Sequence, residues 1–198
     1  MADFWIFFEI GLRHVLNISS YDHILFIAVL VIPYVFKDWK KLLLLISFFT
    51  IGHTLALILS VFKIIIVREQ VVESAIPITI LFTALYDLFT SGKSFKSNSI
   101  AAISVLTLFF GVVHGLAFSN YFKSILFGAP QSKILPMLSF ALGIEVSQLI
   151  IMAIVLLISV LVQSVFRFSK REVTLVTTAF VIGVIMPLIF NNPIWKLF

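Results

Sequence analysis

Residues 42–62 read LLLLISFFTIGHTLALILSVF, a stretch of 21 residues whose only titratable side chain is that of His53. A helix needs about 20 consecutive apolar residues to cross the roughly 30 Å hydrocarbon core of a bilayer. This stretch therefore predicts a transmembrane helix. The whole chain has the same character, because 61% of its 198 residues are hydrophobic and 12% are charged, against about 25% charged in a typical soluble domain.

The same criterion predicts an all-α, polytopic membrane bundle of about six transmembrane helices in a single domain. Residues 4–17 are also apolar but contain Glu9, Arg13 and His14, and they are too few to cross. They predict a short N-terminal interfacial helix. Residues 119–135 predict the longest loop. The six predicted spans are residues 20–36, 42–62, 71–89, 100–118, 136–162 and 174–190.

The expected partners of the chain are the lipid bilayer and a metal ion, and the sequence leaves the oligomeric state open. Cysteine is absent, so a bound metal must use nitrogen or oxygen donors. The net charge of +5 is spread through loops, as the positive-inside rule expects, and predicts no nucleic acid partner. The loops after the first, third and fifth spans hold eight of the 14 Lys and Arg residues. This bias predicts that both termini lie outside.

The acidic and histidine residues converge on one side of the predicted bundle. Because successive spans alternate in direction, the start of an odd span and the end of an even span share a membrane side. All four histidines and three acids fall toward that side, which the charge bias predicts to be the outer one. They are His14, Asp22, His23, His53, Glu73, His114 and Glu145.

Ionisable groups inside a membrane are costly, at about 2.5–3.5 kcal/mol each on insertion scales, and are seldom left unpaired. Neutral imidazole and carboxylate are both metal ligands, so one metal ion would satisfy the set. Simpler roles exist for single members. Asp22 and His23 could cap a helix at the interface, the helix dipole stabilises an acid such as Glu73, and buried polar groups often form hydrogen bonds between helices.

Two further polar residues lie beside these candidates. Gln148 is three residues after Glu145 and therefore on the same helical face. Thr54 directly follows His53. Both are predicted to support the ligands through hydrogen bonds, in the way that the partners of metal ligands fix ligand orientation.

Five segments in this order resemble the HupE/UreJ family of small membrane proteins. The resemblance covers about residues 11–150 and implies a nickel or cobalt permease in a bacterial inner (cytoplasmic) membrane. It also implies that the seven candidate residues match the polar positions of the family, although the interval from His14 to Asp22 is two residues longer here. The segments are GLRHVLNISSYDHILF, FFTIGHTLALILS, VVESAIPITI, FFGVVHGLAFS and FALGIEVSQL.

The leading hypothesis is thus a membrane transporter for a divalent transition-metal ion, namely nickel, cobalt or zinc. The inner half of the bundle offers few polar groups, with Asp87 its main acid, so no continuous ion path is visible. An intramembrane metal-dependent hydrolase is the alternative, acting on a lipid or a membrane-anchored peptide with Glu73 or Glu145 as the general base. A third possibility is a sensor or assembly factor that holds a structural ion.

Overall fold

The computed structural model describes residues 2–18, 21–91, 98–126 and 133–192 of the chain. In these ranges the backbone forms seven α-helices and no strand, and Phe36–Asp38 form a short 3₁₀ turn. The prediction of an all-α membrane bundle is therefore confirmed. The helices are α1 (Ala2–Leu16), α2 (Asp22–Val31), α3 (Trp39–Val61), α4 (Glu69–Thr90), α5 (Asn98–Leu126), α6 (Ile134–Val165) and α7 (Lys170–Phe190).

Five of the described helices, α3 to α7, are long and apolar enough to cross a membrane. They overlap the second to sixth predicted spans. The first predicted span, residues 20–36, instead contains α2, whose ten residues extend about 15 Å at 1.5 Å per residue. Pro33 follows two residues after α2 ends and removes a backbone donor from the next turn. The chain is then extended at Val35 before the 3₁₀ turn.

Two helix ends differ from the sequence-based expectation. Helix α5 continues to Leu126, so the first half of the expected loop at residues 119–135 is helical. Helix α7 begins earlier than predicted, because Ser169 and Glu172 form a capping box. Such a box pairs a serine with a glutamate three residues later. The start of the first span at residue 20, and the loop and tail lysines Lys93, Lys96 and Lys196, lie outside the described residues.

Helix α1 has one charged edge and one buried face. Glu9 and Arg13 form an exposed ion pair of 2.6 Å along one side of the helix. Gly11 lies on the buried side, where an added Cβ would collide with the carbonyl oxygen of Phe140 on α6. The reciprocal position is Gly143, whose Cβ would collide with the carbonyl of Phe8. These two glycines let α1 and α6 pack backbone to backbone.

Candidate metal centre

Two of the four histidines lie at the junction of the two short helices. His14 is in the last turn of α1 and His23 is the second residue of α2. Their rings meet edge to face, with centroids 4.7 Å apart. The break between α1 and α2 therefore brings together two imidazoles that are nine positions apart in the sequence.

The other two histidines come from the closely packed pair α3 and α5. An added Cβ at Gly111 would collide with the carbonyl of Phe49, and one at Gly115 with the carbonyl of His53. The absence of side chains at these glycines lets the two backbones touch. As a result, His53 of α3 and His114 of α5 are both brought beside the α1–α2 junction.

Three of these imidazoles are arranged so that one ion could contact them all. His14, His23 and His53 each offer a ring nitrogen, and the three nitrogens lie within 4.8 Å of one another. His114 adjoins this group, because its ring centroid is 5.1 Å from that of His23. The four residues, here called the histidine cluster, belong to four different helices.

Most nitrogen atoms of the histidine cluster have no hydrogen-bond partner within the part of the chain that the structure describes. Five buried nitrogens share this condition. Buried polar atoms are nearly always paired, and leaving one unpaired costs about 1–3 kcal/mol. A cation that accepts nitrogen lone pairs removes this cost at one nitrogen of each imidazole, so the donor set fits a transition metal. The atoms are Nε2 of His14, Nε2 of His23, Nδ1 and Nε2 of His53, and Nε2 of His114.

Two of the histidines are held by their other nitrogen. Nδ1 of His114 donates to the carbonyl oxygen of Phe110 at 2.8 Å, and Nδ1 of His23 lies 3.3 Å from Oδ1 of Asp22. Both partners are acceptors, so each Nδ1 carries the proton and each Nε2 keeps its lone pair. Metal-binding histidines in proteins usually have such a partner, which fixes both tautomer and ring orientation.

Aromatic rings close the histidine cluster on two sides. Along α5, Phe110, His114 and Phe118 follow at intervals of four residues and so share one face. Phe26 and Phe49 lie on the same side of the cluster as Phe110. The ring centroid of Phe26 is 5.8 Å from that of His114, and the ring centroid of Phe49 is 5.2 Å from it. We call Phe26, Phe49 and Phe110 the first aromatic layer.

The second aromatic layer consists of Phe118 and Phe140, whose rings stack at 5.1 Å and 3°. The ring of Phe118 lies 3.9 Å from that of His14 and 6.3 Å from that of His53. The histidine cluster is therefore enclosed between two layers of apolar rings, an environment that excludes water and strengthens electrostatic interactions.

A family model described as HupE / UreJ protein matches residues 1–192. The chain belongs to the HupE/UreJ family. Neither a curated protein nor a solved structure matches it. The match extends the resemblance seen in the sequence to nearly the whole chain, including both short helices and α7.

In this HupE/UreJ protein, neither Glu145 nor Glu73 belongs to the group of described side chains whose ligand atoms lie within 4.8 Å of one another. Oε1 of Glu145 accepts a hydrogen bond of 2.6 Å from Ser47, where α6 contacts α3. Glu73 is exposed near the start of α4. The predicted supporting residue Gln148 accepts from Thr50 at 3.0 Å. The other predicted supporting residue, Thr54, is half-buried and directly follows His53 in the sequence.

Sequence reasoning missed the aromatic layers and the carbonyl of Phe110. The four-residue spacing of Phe110, His114 and Phe118 was a usable signal, because it places all three on one helical face. Phe140 carried no such signal. It reaches the site only through the packing of α6 against α1 and α5.

Proposed function

We propose that this protein transports a divalent transition-metal ion across the membrane, and that the histidine cluster binds the ion in transit. The observation that carries the proposal is the set of five buried, unpartnered imidazole nitrogens on four helices. A core built for stability alone would not leave them unpaired. Membership of the HupE/UreJ family, whose members are associated with nickel and cobalt transport, agrees with it.

The position of the site supports transport over a purely structural ion. In many transporters the substrate binds where a membrane helix is interrupted, near the middle of the bilayer. Here His14 and His23 flank the break between α1 and α2. His53 is eight residues from the end of α3 and fourteen from its start, or about 12 and 21 Å by the helical rise. The ion would therefore bind inside the membrane, in the outer half of the bundle.

The two aromatic layers supply a means of alternating access. With both layers closed, the histidine cluster is shielded on either side. Moving the rings of one layer would expose the site toward one membrane face while the other layer stays shut. Such gating around a fixed site is the common scheme of secondary transporters.

Asp22 has two roles in this proposal. It accepts the hydrogen bond that orients His23, and its carboxylate offsets part of the charge of a divalent ion. We assign the ligands to His14, His23, His53 and His114, with Asp22 as the charged support. We leave Glu145, which accepts a hydrogen bond from Ser47, and the exposed Glu73 out of the proposed ligand set.

The imidazole donors indicate that the transported ion is a metal of borderline softness. Imidazole suits nickel, cobalt, zinc and copper, and affinity alone would favour copper. The family association favours Ni²⁺ or Co²⁺. We further propose that the protein lies in a bacterial inner membrane with both termini outside, in keeping with the family and with the excess of basic residues on one side. This orientation requires six crossings, so α2 and the residues that follow it would complete one crossing in addition to the five long helices.

Uptake by purified protein in proteoliposomes tests the proposal directly. Vesicles loaded with a fluorescent metal indicator should report Ni²⁺ or Co²⁺ entry with the wild-type protein. His53→Leu should reduce entry to the level of empty vesicles. Gly183→Ala is the matched control, because an added Cβ there meets nothing within 4 Å. Tight metal binding without entry would overturn transport and favour a resident metal, as in the hydrolase alternative.

A further inference from the structure

A second buried polar site lies at the other end of the bundle, beside Asp87. This aspartate is in the last turn of α4 and is 5% exposed. Its Oδ2 has no hydrogen-bond partner among the residues that the structure describes. A cavity of about 20 Å³ adjoins it, which is room for about one water molecule or a small cation.

Hydroxyl-bearing side chains share the lining of the cavity with apolar ones, and no described residue lining it is basic. Tyr34, Thr83 and Thr107 contribute hydroxyl groups to the lining. The hydroxyls of Thr83 and Thr107 donate to backbone carbonyls of their own helices, at 3.1 and 2.8 Å. Their oxygens can therefore act only as acceptors toward the cavity. A buried carboxylate with no cationic neighbour is costly, and an entering cation would supply the missing charge.

The cavity and the histidine cluster are consecutive along one helix. Thr107 lines the cavity and His114 belongs to the cluster, seven residues later on α5. Two helical turns separate them, which is about 10 Å. Phe110 lies between them, lines the cavity with its side chain, and holds His114 through its carbonyl. Phe110 of the first aromatic layer therefore lies between the two sites along this helix.

We propose that the Asp87 cavity is a second cation site, which receives the divalent ion after it passes the first aromatic layer. This inference rests on the transport function proposed above. Oxygen donors bind nickel and cobalt less tightly than imidazoles do. A weaker oxygen site beyond a tight nitrogen site allows the ion to leave, as conduction through successive sites requires.

Two measurements on the same variants test this site. One is equilibrium binding of Ni²⁺ to the detergent-solubilised protein, and the other is Ni²⁺ entry into proteoliposomes. Asp87→Asn should bind Ni²⁺ within about twofold of wild type, because the histidines are unchanged, but should slow entry by about tenfold or more. Asp87→Glu keeps the carboxylate and should restore entry above that of Asp87→Asn.

Asp38→Asn is the matched control, since Asp38 is an acid near the same end of the bundle that pairs with Lys41 at 2.8 Å. It should bind and transport as wild type does. Wild-type entry rates in Asp87→Asn would overturn the second site and leave the transport function standing. Loss of binding together with entry would also overturn it, because Asp87 would then act on the histidine cluster. Absence of entry in the wild type would overturn the transport function itself.

Discussion

Two sets of polar side chains lie inside this bundle, and they differ in how they are satisfied. Where α3 meets α6, Ser47 donates to Glu145 and Thr50 donates to Gln148. In the histidine cluster, five buried nitrogens have no described partner. In each α3–α6 pair, the acceptor oxygen has a hydroxyl donor on the neighbouring helix. In the histidine cluster, a bound cation would supply a partner for one nitrogen of each imidazole.

The two sets should contribute differently: the α3–α6 pairs to the stability of the fold, and the histidine cluster to metal binding. Polar pairs between membrane helices contribute about 0.6 kcal/mol each on average, so removing one weakens the fold slightly. An unpaired buried imidazole instead costs free energy in the metal-free protein. Substitutions in the two sets should therefore have opposite effects on folding and on metal binding.

The largest effect is expected from His53→Leu. Both ring nitrogens of His53 are buried and unpartnered, so the change should leave the metal-free protein as stable as wild type or more stable. Affinity for Ni²⁺ should fall by more than about 100-fold. Removing a group that only supports a ligand lowers metal affinity by about 10–100-fold, and removing the ligand itself should cost more. Thermal unfolding without metal measures the stability, and calorimetric titration with Ni²⁺ measures the affinity. Unchanged affinity would exclude His53 as a ligand.

Gly115→Ala should disturb both properties, because the new Cβ would collide with the backbone of His53. Overpacking of this kind costs about 1–3 kcal/mol, and it displaces a ligand as well. We expect a lower unfolding temperature and weaker Ni²⁺ binding. Gly183→Ala should leave both unchanged, as its added Cβ meets no neighbour. Equal tolerance of the two alanines would contradict the close α3–α5 contact.

Asp22→Asn tests the support of His23. The amide keeps the size of the side chain but removes its charge and weakens the hydrogen bond to Nδ1 of His23. Groups that support metal ligands contribute about 10–100-fold in affinity, and we expect a loss near the lower end. Calorimetric titration at constant pH measures it. Affinity equal to that of wild type would show that Asp22 neither orients nor neutralises the site.

The smallest effect is expected from Glu145→Leu. The change leaves Ser47 without its acceptor and should cost about 0.6 kcal/mol, with about 1.7 kcal/mol as the upper limit. Ni²⁺ affinity should stay within about twofold, since Glu145 is not one of the proposed ligands. A large loss of affinity with normal unfolding would make Glu145 a ligand after all. The α3–α6 pairs would then belong to the metal site.

The sequence predicts the helical membrane class, and the five long helices overlap five of its predicted spans, because apolar length is a local property. It does not predict that α2 is ten residues long, since the effect of Pro33 on the helix depends on packing. The alternation of spans correctly indicates that the four histidines share a depth. The predicted depth in the membrane does not distinguish Glu145 from His53. The two residues differ in which neighbouring helix each side chain faces. That choice depends on contacts between helices, such as those made by Gly111 and Gly115, and these are not local.

X-ray absorption spectroscopy of the Ni²⁺-loaded protein tests the central claim most directly. If the histidine cluster binds the ion, the spectrum should show three or four imidazole nitrogens at about 2.0–2.1 Å, with the outer-shell scattering that imidazole rings produce. His53→Leu should lose one such nitrogen or fail to load. A shell made of oxygen donors alone, unchanged in His53→Leu, would show that the ion binds elsewhere and would contradict the account.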